Sequence, residues 1–171
     1  IVFKGNSRLD KPGQRISADT NITIRGRSHP WVSRGGIKLA HGLDYFGVAI
    51  NGCVCIDIGA STGGFTDVLL SRGAKRVYAV DSGYGQLDWG LRKDPRVIVL
   101  ERINARYLTS VHVPEPVSVV TCDTSFISLT KVLPAPLELA VNGSTLLALI
   151  KPQFEAGRNQ VGKGGVVRDP N

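Results

Sequence analysis

Val54-Cys-Ile-Asp-Ile-Gly-Ala-Ser-Thr-Gly-Gly-Phe-Thr-Asp67 is the stretch from which the fold can be read. A short apolar run ends in an acid, a glycine-rich turn follows, and Phe65 to Arg72 continues with an amphipathic pattern. That order reads as strand, tight turn and helix. Gly59, Gly63 and Gly64 allow backbone to approach a ligand closely at the mouth of a parallel sheet. The dinucleotide fingerprint G-x-G-x-x-G sets a pyrophosphate on a helix N-terminus. Here the glycine spacing differs, and Asp57 stands at the strand end. A carboxylate there repels pyrophosphate and suits a ligand with a cationic ammonium, such as S-adenosylmethionine. The turn taken alone also fits a generic nucleotide-binding α/β domain.

A second strand narrows the choice. Arg76-Val-Tyr-Ala-Val80 is apolar and ends in Asp81, 24 positions after Asp57. In doubly wound folds an acid about 20 residues past the glycines holds ribose hydroxyls. Working outward, Gly36 to Phe46 carries apolar residues at helical spacing, and a helix is expected over Gln86–Arg92. Further strands are expected at Val97–Leu100, Val117–Cys122 and Thr145–Ile150. Between the last two, Leu129–Ala140 reads as a helix disturbed by two prolines. Glu155 to Asn171 is Gly-rich and polar, the pattern of a loop. Strands alternating with helices predict an α/β protein: a Rossmann-like parallel sheet with helices on both faces.

Residues 1–28 differ. Ile1-Val-Phe3 and Ile22-Thr-Ile24 are strand-like, Lys11-Pro-Gly13 is a turn, and Ser28-His-Pro30 reads as a linker. This segment is too short to fold alone. It also carries the charge. Residues 1–38 hold eight basic residues (Lys4, Arg8, Lys11, Arg15, Arg25, Arg27, Arg34, Lys38) against Asp10 and Asp19. That accounts for +6 of the chain's net +7. A basic segment beside a near-neutral domain points to a polyanionic partner, although a solvated charged face gives the same count. Pro12, Gly13, Gly26 and Pro30 leave no amphipathic helix to lie on a membrane.

Composition bounds the rest. The 171 residues, 42% hydrophobic and 20% charged, fit one ordinary globular domain, or one domain plus a fragment. No apolar run approaches a membrane span, and no signal peptide is visible. The absence of Met implies a trimmed fragment. Cys53, Cys55 and Cys122 sit in strand-like runs without C-x-x-C spacing, as buried reduced thiols of a cytoplasmic protein would. His29, His41 and His112 are scattered, so no metal is expected.

Asp57, Asp81, Asp123 and Lys151 each directly follow an expected strand. Sites in open α/β sheets lie at these carboxyl ends. A helix cap or turn would explain any one of the acids, but not four strand ends together. Lys151 follows the very apolar Leu146-Leu-Ala-Leu-Ile150. Desolvation there favours a neutral amine able to act as general base; a structural ion pair with Asp123 is the plainer alternative.

Four blocks in order carry a resemblance: Val32-Ser-Arg-Gly-Gly-Ile-Lys-Leu39, the Asp57–Asp67 loop, Thr121-Cys-Asp-Thr-Ser-Phe-Ile-Ser128 and Ile150-Lys-Pro-Gln-Phe-Glu-Ala-Gly157. Together they resemble the TlyA, or hemolysin A, family, FtsJ-like ribose 2′-O-methyltransferases. The resemblance covers essentially the whole chain. It implies three parts: residues 1–27 as the C-terminal part of an S4-like RNA-binding domain, 28–32 as linker, and 33–171 as a methyltransferase domain incomplete at its C-terminus.

The resemblance further implies S-adenosylmethionine as cofactor and ribosomal RNA as partner, with a cytidine ribose as target. The family's catalytic set is Lys-Asp-Lys-Glu. Lys38, Asp123 and Lys151 match its first three members, whereas the Glu belongs to a later strand with no counterpart here. Lys151 would take up the proton, with Lys38 and Asp123 holding it and the ribose hydroxyl. Lys38 would favour the neutral amine and Asp123 the charged one. Gly59 and Ser61, Thr62, Gly63, Gly64 and Phe65 would wrap the methionine part, with Asp57 facing its ammonium. Asp81 would bind the ribose hydroxyls, Asn104 would read the adenine edge, and Arg34 would hold RNA phosphate. Lys4, Arg8, Lys11, Arg25 and Arg27 would add RNA contacts. Three other classes remain open to the sequence: a non-catalytic RNA-binding protein with this fold, a membrane-active hemolysin, and a nucleotide-dependent oxidoreductase.

Overall fold

The structure, a computed structural model, describes residues 2–9, 13–24 and 29–167. It separates into two compact units, Ile1–Pro30 and Trp31–Asn171. In the first unit, strands β1 (Val2–Lys4), β2 (Ser7–Leu9) and β3 (Ile22–Ile24) form an antiparallel sheet in the order β2-β1-β3. The β1–β2 hairpin turns at Gly5-Asn6, where Gly5 takes a φ of +57°. A left-handed residue in a two-residue turn matches the twist of the flanking strands.

The second unit is a parallel sheet of β4 (Val54–Ile58), β5 (Arg76–Asp81), β6 (Val97–Glu101), β7 (Val117–Cys122) and β8 (Ala140–Ala148), ordered β6-β5-β4-β7-β8. All four pairings are parallel. β4 is central and every one of its residues is buried. Its alternation feeds two cores. Cys55 joins Leu39, Leu43, Val68 and Leu69 on one face, with Val77 and Ala79 of β5. Val54, Ile56 and Ile58 join Tyr78, Val80, Leu108 and Val132 on the other.

Helix α1 (Gly35–Phe46) buries Leu39 and Leu43, one turn apart, and ends at Gly47, whose φ of +64° permits the left-handed cap. Helix α2 (Gly64–Ser71) and the short α3 (Trp89–Lys93) cover the same face. On the other face the expected single helix over 129–140 is two, α4 (Leu129–Val132) and α5 (Pro134–Glu138). Proline has no N–H to continue a helix but fits its first turn, so Pro134 ends one helix and starts the next.

Besides the split helix and an α3 that begins at Trp89 rather than Gln86, two stretches differ from the sequence expectation. β8 begins five residues early, because Ala140 pairs with Val117 across an irregularity in the β7–β8 register. It also stops before Leu149 and Ile150, so Lys151 lies beyond the strand rather than at its end. The tail after Lys151 is partly ordered: helix α6 (Pro152–Glu155), a 3₁₀ turn over Arg158–Gln160 and an isolated bridge between Val161 and Val167. Among the described residues, no helix is long and apolar enough to cross a membrane.

Candidate active site

A cleft of about 1170 Å³ opens at the carboxyl ends of the strands. The floor begins with the turn after β4. Gly59 has a φ of +81°, and a Cβ placed there would come within 3.0 Å of the Asp123 carbonyl oxygen. Glycine therefore lets the β4 turn and the β7 loop run side by side. Ser61 takes a φ of +49°, uncommon for a residue with a side chain. Its N–H donates to Asp81 Oδ2 at 2.7 Å, and the Gly83 N–H donates to Asp81 Oδ1 at 2.7 Å. Two backbone donors thus fix the Asp81 carboxylate, and each oxygen keeps lone-pair capacity for a hydroxyl.

At the other end of the cleft, Asp123 stands between two lysines. Lys38 Nζ lies 2.5 Å from its Oδ2, and Lys151 Nζ lies 2.7 Å from its Oδ1. The second contact is an ion pair without an aligned hydrogen bond to Oδ1. Lys151 donates instead to Ser125 Oγ at 3.0 Å and to the Asp123 carbonyl at 3.4 Å. The side chains of Asp123 and Lys151 are 17% and 22% exposed, so the pair faces the cleft from a largely desolvated position. Lys38 projects from the second turn of α1, four residues after the exposed Arg34, and the two share a helix face. Its Nζ is also 6.0 Å from the centre of the Phe65 ring.

The sequence-expected residues divide clearly. Gly59, Ser61, Thr62, Gly64, Phe65, Asp81 and Asn104 line the cleft together with Arg34, Lys38, Asp123 and Lys151. Asn104 Oδ1 accepts from the Arg106 N–H and so caps a 3₁₀ turn; the side-chain amide remains as a donor.

Asp57 does not reach the cleft. It pairs with Ala79 and Thr121, whereas Asp81 and Asp123 follow the pair partners of Ile58 and so stand two rungs higher, level with Gly59. The four strand ends are therefore not aligned. Asp57 is fully buried and accepts from Thr66 Oγ1 at 2.7 Å and Thr121 Oγ1 at 3.1 Å. Burial pushes its carboxyl up to about 6, against the lowering effect of those bonds and with a further raising effect from Asp123. A buried acid tying β4 to α2 and β7 cannot meet a cationic ligand directly. Gly63 is also off the cleft. Its φ is +96°, and a Cβ there would overlap Leu87 and Leu91.

Lys4 and Arg8 lie on exposed positions of β1 and β2, in the first unit. Lys11, Arg25 and Arg27 fall outside the described residues.

The cleft also holds residues that the sequence reading missed. Gln86 approaches Ser61 Oγ at 3.3 Å, and Ser125 holds Lys151. Phe126 is 90% exposed at a φ of +67°, with its ring 5.1 Å from that of Phe154. Ser125 and Phe126 sit in the Thr121–Ser128 block, and the conformation that exposes Phe126 has no signature in composition or periodicity.

A five-strand parallel sheet flanked by helices, with a glycine turn, a hydroxyl-ready acid and a lysine–carboxylate–lysine cluster at one rim, defines a Rossmann-like methyltransferase-type fold. The model of the FtsJ-like methyltransferase family matches residues 31–171, and the chain belongs to that family. YqxC of Bacillus subtilis, named as a candidate rRNA methyltransferase, is 52% identical over 171 residues, covering 99% of this chain and 61% of its own. The 16S/23S rRNA (cytidine-2′-O)-methyltransferase TlyA of Mycobacterium tuberculosis is 51% identical, covering 99% and 66%. The chain thus spans less than two thirds of the length of these relatives. A solved structure of a candidate hemolysin from Streptococcus thermophilus superposes with a TM-score of 0.84 at 48% identity, covering 98% of this chain and 62% of that one.

Proposed function

We propose that the chain is the catalytic part of an RNA methyltransferase that moves a methyl group from S-adenosylmethionine to a ribose 2′-hydroxyl, of cytidine in ribosomal RNA. The observation that carries this reading is the Lys38–Asp123–Lys151 cluster beside the fixed Asp81 carboxylate in one cleft.

The residues present fit the cofactor. Asp81 is held by Ser61 and Gly83 with capacity for two ribose hydroxyls, Gly59 leaves the turn without a side chain, and Asn104 offers an amide to an adenine edge. Bound there, S-adenosylmethionine supplies a methyl already activated by its sulfonium charge. What the chain must add is alignment and removal of a proton. Lys151 Nζ is the acceptor of the proton that leaves the 2′-oxygen. Asp123 fixes the Lys151 Nζ from below, and Lys38 holds the opposite carboxylate oxygen so that Asp123 does not rotate away. Arg34, one turn before Lys38 on the same face, would pair with a phosphate. The exposed Phe126 ring offers a base a stacking surface.

Residues 1–27, as an S4-like element, would add affinity for RNA through Lys4, Arg8, Lys11, Arg25 and Arg27. The reading implies work on ribosomes, in the cytoplasm.

Lys151→Ala and Asp123→Ala, tested in the full-length protein on ribosomal subunits, are expected to lower methylation at least about 100-fold. Calorimetric affinity for S-adenosylmethionine should stay within a few-fold. Full activity in either variant would sink the assignment.

A further inference from the structure

Two loops bring Asp123 and Lys151 together, and they come from different strands. Nothing in the pairing of β7 with β8 fixes Lys151, because the strand ends at Ala148. One more backbone bond follows, from the Leu149 N–H to the Cys122 carbonyl at 2.9 Å, and beyond the contacts of Lys151 itself the next connection between the two loops lies past the lysine. Glu155 Oε2 accepts from Ser128 Oγ at 2.6 Å, and Glu155 Oε1 accepts from the Leu129 backbone N–H at 2.9 Å. Ser128 and Leu129 begin α4, at the end of the loop that starts at Asp123.

Between Lys151 and Glu155 the chain is a single tight turn. Pro152 presets its first residue, and the Phe154 N–H closes it onto the Lys151 carbonyl at 2.8 Å. Movement of Glu155 is therefore movement of Lys151. The Phe154 and Phe126 rings meet on the same seam.

We propose that Glu155 is a positioning residue: its carboxylate clamps the Lys151 turn to the Asp123–Ser128 loop and so sets where the Lys151 amine stands. The proposal rests on the methyltransferase reading for its catalytic consequence, but the clamp itself is a property of the cleft. Glu155 makes no bond to Lys151 or to its partners: Lys151 touches Asp123 and Ser125, and Glu155 touches neither. It acts only through geometry. Small errors in the placement of a reacting group are costly, since catalysis by alignment depends on near-attack distances.

The test uses the full-length protein carrying Glu155→Ala, Glu155→Gln or Ser128→Ala. Glutamine keeps an oxygen for the Leu129 N–H and an amide N–H for Ser128 Oγ. Glu155→Ala is expected to lower kcat by about tenfold or more while KM for RNA moves less than about threefold. Glu155→Gln should restore most of kcat, and Ser128→Ala should fall between.

The second readout needs no methylation. Acetylation of Lys151 by a small acylating reagent, followed by mass spectrometry, should speed up several-fold in Glu155→Ala, while Lys75 on the opposite rim reacts unchanged. If the wild-type protein methylates no RNA, the functional reading fails and the acetylation arm still decides the clamp. Unchanged Lys151 reactivity overturns the proposal, even if the melting temperature drops. Failure of glutamine to rescue kcat also overturns it, because the charge rather than the geometry would then matter.

Discussion

Asp57 shows how far a single side chain can be read. Its place at the end of an apolar run was legible, but its job was not. A strand-ending acid two rungs below its neighbours looks the same in sequence as one at the rim, since register is set by pairing between distant segments. The structure makes it a buried tether, and this has a measurable signature. Folding raises its carboxyl from an ordinary 3.8 to about 6, so between about pH 4 and pH 6 the folded protein holds a proton that the unfolded chain has lost. Stability contributed by this group therefore falls as pH rises through that window, and the cost is complete above pH 6. Asp57→Asn cannot ionise and can still bond both threonines. Its stability relative to wild type should improve by about 2 kcal/mol from pH 4 to pH 6. Chemical denaturation at several pH values measures this, and a difference independent of pH would mean that the carboxyl stays charged. By contrast, Lys38, Asp123 and Lys151 were legible because they lie in motif blocks whose order carried the family resemblance.

The strands and helices were legible to the extent that their cause was local. β7 matches its expected bounds and β4 fills the expected run before the glycine turn, both being short, β-rich runs flanked by turns and buried on both faces. The early start of β8 was not legible, because Ala140-Val-Asn-Gly143 is largely exposed and becomes a strand only by pairing with β7. The helix pair α4 and α5 followed from its prolines, although where the chain would restart was left open. Just before α2 the capping glycine is structural rather than ligand-facing. Gly63 needs a left-handed backbone, and Leu87 and Leu91 pack where a Cβ would go. Gly63→Ala should cost about 3 kcal/mol, combining backbone strain with overpacking. A urea midpoint shifted by less than a third of that would show that the α2 start can relax around a methyl group.

Across the whole molecule the charge is lopsided, with most of the net +7 in the first 38 residues. If that segment meets RNA phosphates, affinity should fall steeply and linearly in a plot of log K against log salt, with a slope of several. A flat plot for the full-length protein would remove these residues from the RNA contact. The sheet is polarised in another sense as well. Its carboxyl rim holds the cleft, while the opposite rim is closed by the Arg76–Glu115–Tyr78 cluster and exposed turns around Pro95 and Pro114. Some 20 Å of strand separates the two. Cys55 and Cys122 are buried and Cys53 is half-buried, so a cysteine introduced at position 114 would be the most accessible thiol among the described residues. A dye or a surface anchor attached there would leave the working end pointing away from the glass, ready for single-molecule observation of RNA arriving and leaving.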